Sequence, residues 1–341
     1  MSKLNALEHF QLAMVELRHL MEDLDKPYSI RDKTIHHPAY NQTVRKIATL
    51  HRRGHELKQG GGLSVTGHSG IVKSKVLSFY KDQFPIYDDA EGVVIPVLYV
   101  VTPAAPSVKN LAESILDAMG DPFSHKGTSE EKTKRIYLML KKCRVELLLI
   151  DEFQHFADTN RRSETRAVTD WLKNLLSVAK IPVVLAGLPH SEMVIRANPQ
   201  LARRFSSRLY IQPFSFDAEN EQRVFRGLLK GVQKDLPVPT IALHDANVAR
   251  RLFVATNGVI DYLCKLIDRA IHLARENRIR HITLDILCQS FKDEIWLDCP
   301  DNLNPFTEGS LLRPLTESGE PFESHKKKIA SIALGSRVRT A

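Results

Sequence analysis

Four short runs of aliphatic and β-branched residues, at 63–66, 93–101, 146–150 and 181–186, are each followed by a longer stretch whose apolar positions have helical spacing. Inside the runs at 93–101, 146–150 and 181–186 apolar residues do not alternate with polar ones, so both faces of such a strand need cover. Strands that alternate with helices pair in parallel through right-handed crossovers. The predicted fold class is therefore α/β, a three-layer core over residues 61–216 with helices on both faces of the sheet.

Residues 217–298 lose the strand signal and read as helices punctuated at Pro237, Pro239 and Asn257-Gly258, which predicts a smaller helical lid domain. Residues 1–60 read as a helical arm in two pieces. In the first, Leu4, Phe10, Met14, Leu17, Leu20 and Met21 share one face up to a break near Pro27. The second runs over 40–57 and ends at Gly60, Gly61 and Gly62. From residue 299 to 341 the prolines Pro300, Pro305, Pro314 and Pro321 and the cations Lys326, Lys327, Lys328, Arg337 and Arg339 predict an extended basic tail that orders on a partner.

A chain of 341 residues with 43% hydrophobic content can bury a proper core. Its formal charge of +8 favours a polyanionic partner. Cys143, Cys264, Cys288 and Cys299 are scattered without a CxxC pair, which argues against a zinc site or a disulfide framework and fits a reducing cytoplasm. Lys3, Glu8, Glu16 and Arg18 interrupt the N-terminus, and no stretch approaches the roughly 18 apolar residues of a membrane span. No membrane contact is expected.

The first strand run leads into Gly67-His68-Ser69-Gly70-Ile71-Val72-Lys73-Ser74 and then a helical pattern. This matches GxxxxGK[ST] at every defined position except the second glycine, where Val72 stands. Backbone N–H groups of such a loop and the positive helix end cradle phosphate oxygens. Lys73 would neutralise the β- and γ-phosphates, and Ser74 would place its hydroxyl on Mg²⁺. A β-branched residue at 72 replaces one that lets the backbone approach closely, which predicts weakened nucleotide affinity or turnover.

The run Val145-Glu146-Leu147-Leu148-Leu149-Ile150-Asp151-Glu152 is an apolar strand ending in two carboxylates at the sheet edge where α/β proteins bind ligands. Asp151 would hold the hydrated Mg²⁺, and Glu152 would act as general base or orient the attacking water. His68 and His155 are read as structural or polar loop residues.

The string Leu149-Ile150-Asp151-Glu152-Phe153-Gln154-His155 resembles the DEFQH form of this motif in the TniB/TnsC family of AAA+ transposition regulators. Gly127-Thr128 ahead of Lys134-Arg135-Ile136, the segment from Ile181 to Pro189, and Gln200-Leu201-Ala202-Arg203-Arg204-Phe205 extend the resemblance over roughly residues 40–270. It implies a P-loop AAA+ ATPase with ATP and Mg²⁺ as cofactors, assembling as a homo-oligomeric ring or helical filament on double-stranded DNA and coupling a target-selector protein of the TniQ type to a transposase. It also implies that Arg203 or Arg204 is an arginine finger supplied to the neighbouring subunit's nucleotide, and that Thr102, Lys109, Lys126 and Thr128 contact the DNA backbone. Leu188 departs from the pattern by replacing a polar residue after Gly187, and Asp261 stands near where relatives carry an arginine. Two other classes stay open: a filament adaptor that binds nucleotide without hydrolysing it, and a helicase-loader-like AAA+ ATPase.

Overall fold

The computed structural model describes residues 28–32, 37–58, 60–70, 72–159 and 162–323, together with Met14. The arm positions Leu4, Phe10, Leu17, Leu20 and Met21, the loop residue Ile71, and the tail cations Lys326, Lys327, Lys328, Arg337 and Arg339 lie outside those residues. Among the described residues the chain divides into two units, one of 37–224 with 258–261 and one of 28–32, 225–257 and 262–323, with Met14.

The first unit opens with helix α1 (Pro38–Leu57), started by a proline at its first position and by the His37 ring, which accepts from the Tyr40 amide. There follow β1 (Gly62–Gly67), α2 (Lys73–Asp82), the hairpin β2 (Tyr87–Asp89) and β3 (Gly92–Val94), β4 (Val97–Val101), α3 (Val108–Ala118) and α4 (Ser129–Lys142). Then come β5 (Leu147–Asp151), α5 (His155–Asp158), α6 (Arg162–Ala179), β6 (Val183–Gly187), α7 (Glu192–Arg196), α8 (Pro199–Arg204) and β7 (Ser207–Ile211). The five longer strands form one parallel sheet in the order β4-β5-β6-β1-β7.

Two strand readings need correction. The run at 93–101 is two strands of different sheets, because Pro96 has no N–H for a ladder and instead offers its carbonyl to Glu146 and Leu147. The strand β7 carries little sequence signal, since it lies at the sheet edge and two of its five residues, Ser207 and Arg208, are exposed and polar.

Side-chain alternation across the pleat explains the three layers. On one face Leu98, Val100, Leu148, Ile150, Val183 and Leu185 join a single core with residues of α3, α4 and α6. On the other, Leu63, Val65, Leu147, Leu149, Val184 and Ala186 are equally buried, with α1 and α2 packed beside these strands.

The second unit is helical, built from α9 (Glu219–Lys234), α10 (Ala246–Thr256), α11 (Ile260–Glu276) and α12 (Leu284–Glu294), the first and third of which begin in the first unit. Residues 299–322 contain neither helix nor strand, yet Phe306, Leu315 and Phe322 are buried. Arg251 donates to the carbonyls of Pro305 and Thr307 at 2.5 and 3.1 Å, and buried Asn304 donates to that of Cys288 at 3.1 Å.

Gly258 returns the chain to the first unit in the left-handed region, with φ +70°, and accepts from the Phe214 amide at 2.9 Å. A Cβ there would stand 2.1 Å from the Phe214 carbonyl oxygen. Gly258→Ala is therefore expected to destabilise the protein by more than about 1 kcal/mol, measured by denaturant unfolding. Unchanged stability would show that this turn does not hold its conformation in solution.

Candidate functional site

Because β1 and β5 both flank β6 in a parallel sheet, Gly67 at the end of β1 and Asp151 at the end of β5 emerge on the same edge. The loop after Gly67 runs straight into α2. That helix begins at Val72 without a side-chain cap and has no acidic residue in its first turn, so its leading amides are left for a ligand.

The Lys73 side chain is only 6% exposed. Its ammonium donates to the carbonyls of Gly67 at 2.9 Å and His68 at 2.7 Å. Burial lowers its pKa, and the nearby charges of Asp151 and Glu152 oppose that shift. The His68 ring pairs with the Tyr210 hydroxyl at 2.8 Å, which fastens the loop to β7. Gly70, with φ +74°, accepts from the Asp261 amide at 3.1 Å, and a Cβ on it would come within 2.8 Å of the Asp261 Cβ. Ser69 and Ser74 are exposed, and their hydroxyls have no partner among the described residues.

Val72 sits at φ −48°, ψ 18°, with φ negative and so not in the left-handed region that favours glycine, and its carbonyl accepts the Val76 amide at 2.9 Å. The left-handed freedom of a glycine is not used here. The side chain is buried.

Asp151 is buried, with Oδ2 accepting from the Tyr99 hydroxyl at 3.1 Å and Oδ1 from the Glu152 amide at 2.8 Å. Burial and the Asp151 charge raise the Tyr99 pKa, so this phenol stays a donor. Glu152 adopts φ +54°, uncommon for a non-glycine residue. Its carboxylate accepts from the Gln154 amide nitrogen, while Gln154 Oε1 accepts from the Leu188 amide at 3.1 Å. Gln154 thus links the acidic strand end to the end of β6, where Leu188 offers no polar side chain. Its place in the DEFQH string was the available signal; Tyr99 had none, because only the register of β4 on β5 brings it to Asp151.

Thr102 is not presented to a DNA backbone. It is 2% exposed, and its hydroxyl and amide both donate to the Asp151 carbonyl, at 2.8 and 2.9 Å. Lys109 and Lys126 are exposed, the latter with its ammonium 4.8 Å from the Phe123 ring centroid. Thr128, also exposed, caps α4 in a reciprocal pair with Glu131. The turn carrying Lys126 and Thr128 is held by fully buried Lys132, which donates to Glu113 and to the Ser124 carbonyl.

Arg203 and Arg204 precede β7, hence lie at the opposite sheet edge from the loop of their own chain. Arg204 donates to the Ser177 hydroxyl at 2.9 Å, whereas Arg203 is exposed and without a partner among the described residues.

These donors fit a phosphate-bearing ligand: uncapped helix amides, a buried ammonium on carbonyls, and a carboxylate at the same edge. No group of three His, Cys, Asp or Glu among the described residues forms a ready-made cation site. Asp151 and Ser74 instead suit a hydrated divalent ion that also draws on ligand oxygens, as Mg²⁺ does.

Residues 27–213 match the family model described as Bacterial TniB protein. The chain belongs to the TniB family. No curated protein matches it in sequence. Among solved structures, this TniB-family chain is similar to the Aeropyrum pernix ORC1 protein in complex with DNA, with TM-score 0.58 and 13% identity over 76% of this chain and 66% of that one. It is similar to CDC6P from Pyrobaculum aerophilum, with TM-score 0.57 and 14% identity over 79% and 72%. It is also similar to the Aeropyrum pernix ORC2 protein in ADPNP-ADP complexes, with TM-score 0.56 and 14% identity over 76% and 68%. At these identities the likeness is one of fold: a P-loop AAA+ core and a helical unit.

Val72→Gly in this TniB-family loop would lose about 1.5–3 kcal/mol of side-chain burial and add backbone freedom to the unfolded chain. We expect a stability loss of about 2 kcal/mol or more in denaturant titrations. A variant as stable as the natural chain would mean that the Val72 side chain strains the loop by as much as its burial stabilises it.

Proposed function

We propose that this TniB-family protein is an ATP-dependent DNA-binding regulator of transposition, working as a homo-oligomer in the cytoplasm on double-stranded target DNA. Its partners would be a transposase and a TniQ-type target selector. The observation that carries the reading is the buried Lys73 ammonium held on the Gly67 and His68 carbonyls beside Asp151 and Glu152. The adenine-nucleotide complexes of ORC2 and the DNA complex of ORC1 favour the same ligands on the same fold.

In this reading the amides of residues 67–74 and Lys73 bind the ATP phosphates. Asp151 and Ser74 hold Mg²⁺, which when bound supplies charge neutralisation at the phosphates. Glu152 orients the attacking water and takes its proton, with Gln154 fixing the carboxylate. Tyr99 and Thr102 position Asp151. Arg203 is the finger reaching a neighbouring protomer's nucleotide, since Arg204 already serves Ser177. Lys109 and Lys126 contact DNA phosphates, and such contacts carry no sequence code.

Pelleting on plasmid DNA with ATP, a slowly hydrolysed analogue, ADP or no nucleotide tests the nucleotide control. Assembly is expected with the triphosphates alone; assembly indifferent to nucleotide overturns it. Lys73→Ala is expected to lose ATP-dependent assembly by about 100-fold or more in ATP requirement, because a buried ammonium on a charged ligand contributes several kcal/mol. For hydrolysis, Arg203→Ala should reduce turnover by about 10³-fold while Arg204→Ala reduces it far less. The reverse ranking in a DNA-stimulated phosphate-release assay would reassign the finger.

A further inference from the structure

The described residues carry a second concentration of cations that the nucleotide site does not use. Along α1 the residues Gln42, Arg45, Lys46, Thr49 and Arg53 recur at helical spacing on one face, while Tyr40, Thr43, Ile47, His51 and Gly54 of the same helix are buried. The polar face lines a groove of about 400 Å³ together with the turn at Gly60, Gly61 and Gly62 and with Arg204, Ser206 and Ser207. Four of its lining residues are cationic, Arg45, Lys46, Arg53 and Arg204, and none is acidic.

Two of the four are already engaged: Lys46 donates to the Arg208 carbonyl at 3.3 Å and Arg204 to the Ser177 hydroxyl at 2.9 Å. The guanidiniums of Arg45 and Arg53 have no partner among the described residues. Gathering like charges without a counter-charge opposes folding, so a groove of this kind is completed by an anion from outside. The groove lies where β1 and β7 begin, at Gly62 and Ser207, and the phosphate loop lies where β1 ends. Along a six-residue strand the two are separated by about 17 Å. They are therefore different sites.

We infer that this groove binds the phosphodiester backbone of duplex DNA through Arg45 and Arg53, with Lys46 and Arg204 supporting its field. The chain's charge of +8 and the absence of a carboxylate in the groove favour a long polyanion over a protein surface. The inference rests on the DNA-binding part of the proposed function and adds a contact surface to it. It requires no base reading, because guanidiniums on a helix face can track phosphates whatever the sequence.

The test is the salt dependence of duplex binding by the ATP-loaded full chain, read from the anisotropy of a labelled duplex. Each phosphate contact adds about 0.9 to the slope of log K against log salt. The double substitution Arg45→Ala with Arg53→Ala is expected to lower that slope by about 2, and R45K with R53K to retain it. Lys141→Ala with Lys142→Ala, the same charge change on exposed residues at the end of α4, should leave it unchanged. All variants should melt with the natural chain, since neither guanidinium has a hydrogen-bond or ion-pair partner among the described residues. An unchanged slope in the alanine variant overturns the inference. So does a loss of inorganic tripolyphosphate binding in calorimetry with the duplex slope intact, which would make the groove a free-anion site. Loss of DNA-free self-association with that slope intact would make it a subunit face and likewise overturn it. Binding that ignores ATP but still loses two units of slope would sink the nucleotide control and leave the groove standing; ATP-gated binding with an unaltered slope would do the opposite.

Discussion

An ammonium group buried in protein needs oxygens around it, and Lys73 finds its first two in the carbonyls of Gly67 and His68. That requirement ties the site to the sheet. The carbonyls belong to the residues where β1 ends, and the carboxylates that offset the burial of Lys73 belong to the end of β5, with β6 between them. A sheet with another strand order would leave the lysine without its counter-charges and the carboxylates without theirs. The same ammonium is matched to a ligand that brings anionic oxygen, because such a ligand satisfies the need that the loop carbonyls satisfy alone.

The acidic side of the site is held as tightly. At the end of β5 both Asp151 carboxylate oxygens are occupied, by Tyr99 and the Glu152 amide, the Asp151 carbonyl by Thr102, and one Glu152 carboxylate oxygen by Gln154. Glu152 sits in the left-handed region within this web. A non-glycine residue held in that region carries local strain, which persists where surrounding bonds over-determine the conformation. Here the next residue is itself anchored, its amide donating to the Ala186 carbonyl at 2.9 Å. The Glu152 carboxylate is thus aimed by its backbone before any ligand arrives. Leu188, which has no polar side chain to offer, still takes part through its amide, because Gln154 spans the gap.

The central strands, the phosphate loop and the acidic strand end were legible because each depends on local pattern: aliphatic runs buried on both faces, and chemistry attached at their ends. What was not legible depends on pairing. Thr102 reads as a loop residue free to meet a phosphate, and only the register of β4 on β5 puts it under Asp151. Tyr99 is one more strand residue until that register is known. The polar edge strand β7 carries too little apolar signal to stand out from a loop, and the hairpin ahead of β4 is hidden in what looks like one continuous run until Pro96 is given its meaning. Val72 reads as a defect in the motif, but whether a glycine is needed is a question of φ, and the backbone there is not left-handed.

Arg203 and Arg204 show the same limit at the level of single side chains. Adjacent in sequence and alike in chemistry, they point to different neighbours because successive residues of a helix face directions about 100° apart. Arg204 meets Ser177 of α6 and borders the groove beside α1, while Arg203 is left to solvent. The two ends of β1 therefore differ in kind. At its C-terminal end the positive charge is buried, singular and matched by carboxylates of the same chain, which suits a small ligand seated in one geometry. At its N-terminal end the charge is exposed, repeated along a helix face and unmatched, which suits a polymer whose phosphates can be met in any register. The strand that separates them is what allows one chain to hold both, since its six buried residues set about 17 Å between the two charges and each then meets its own ligand.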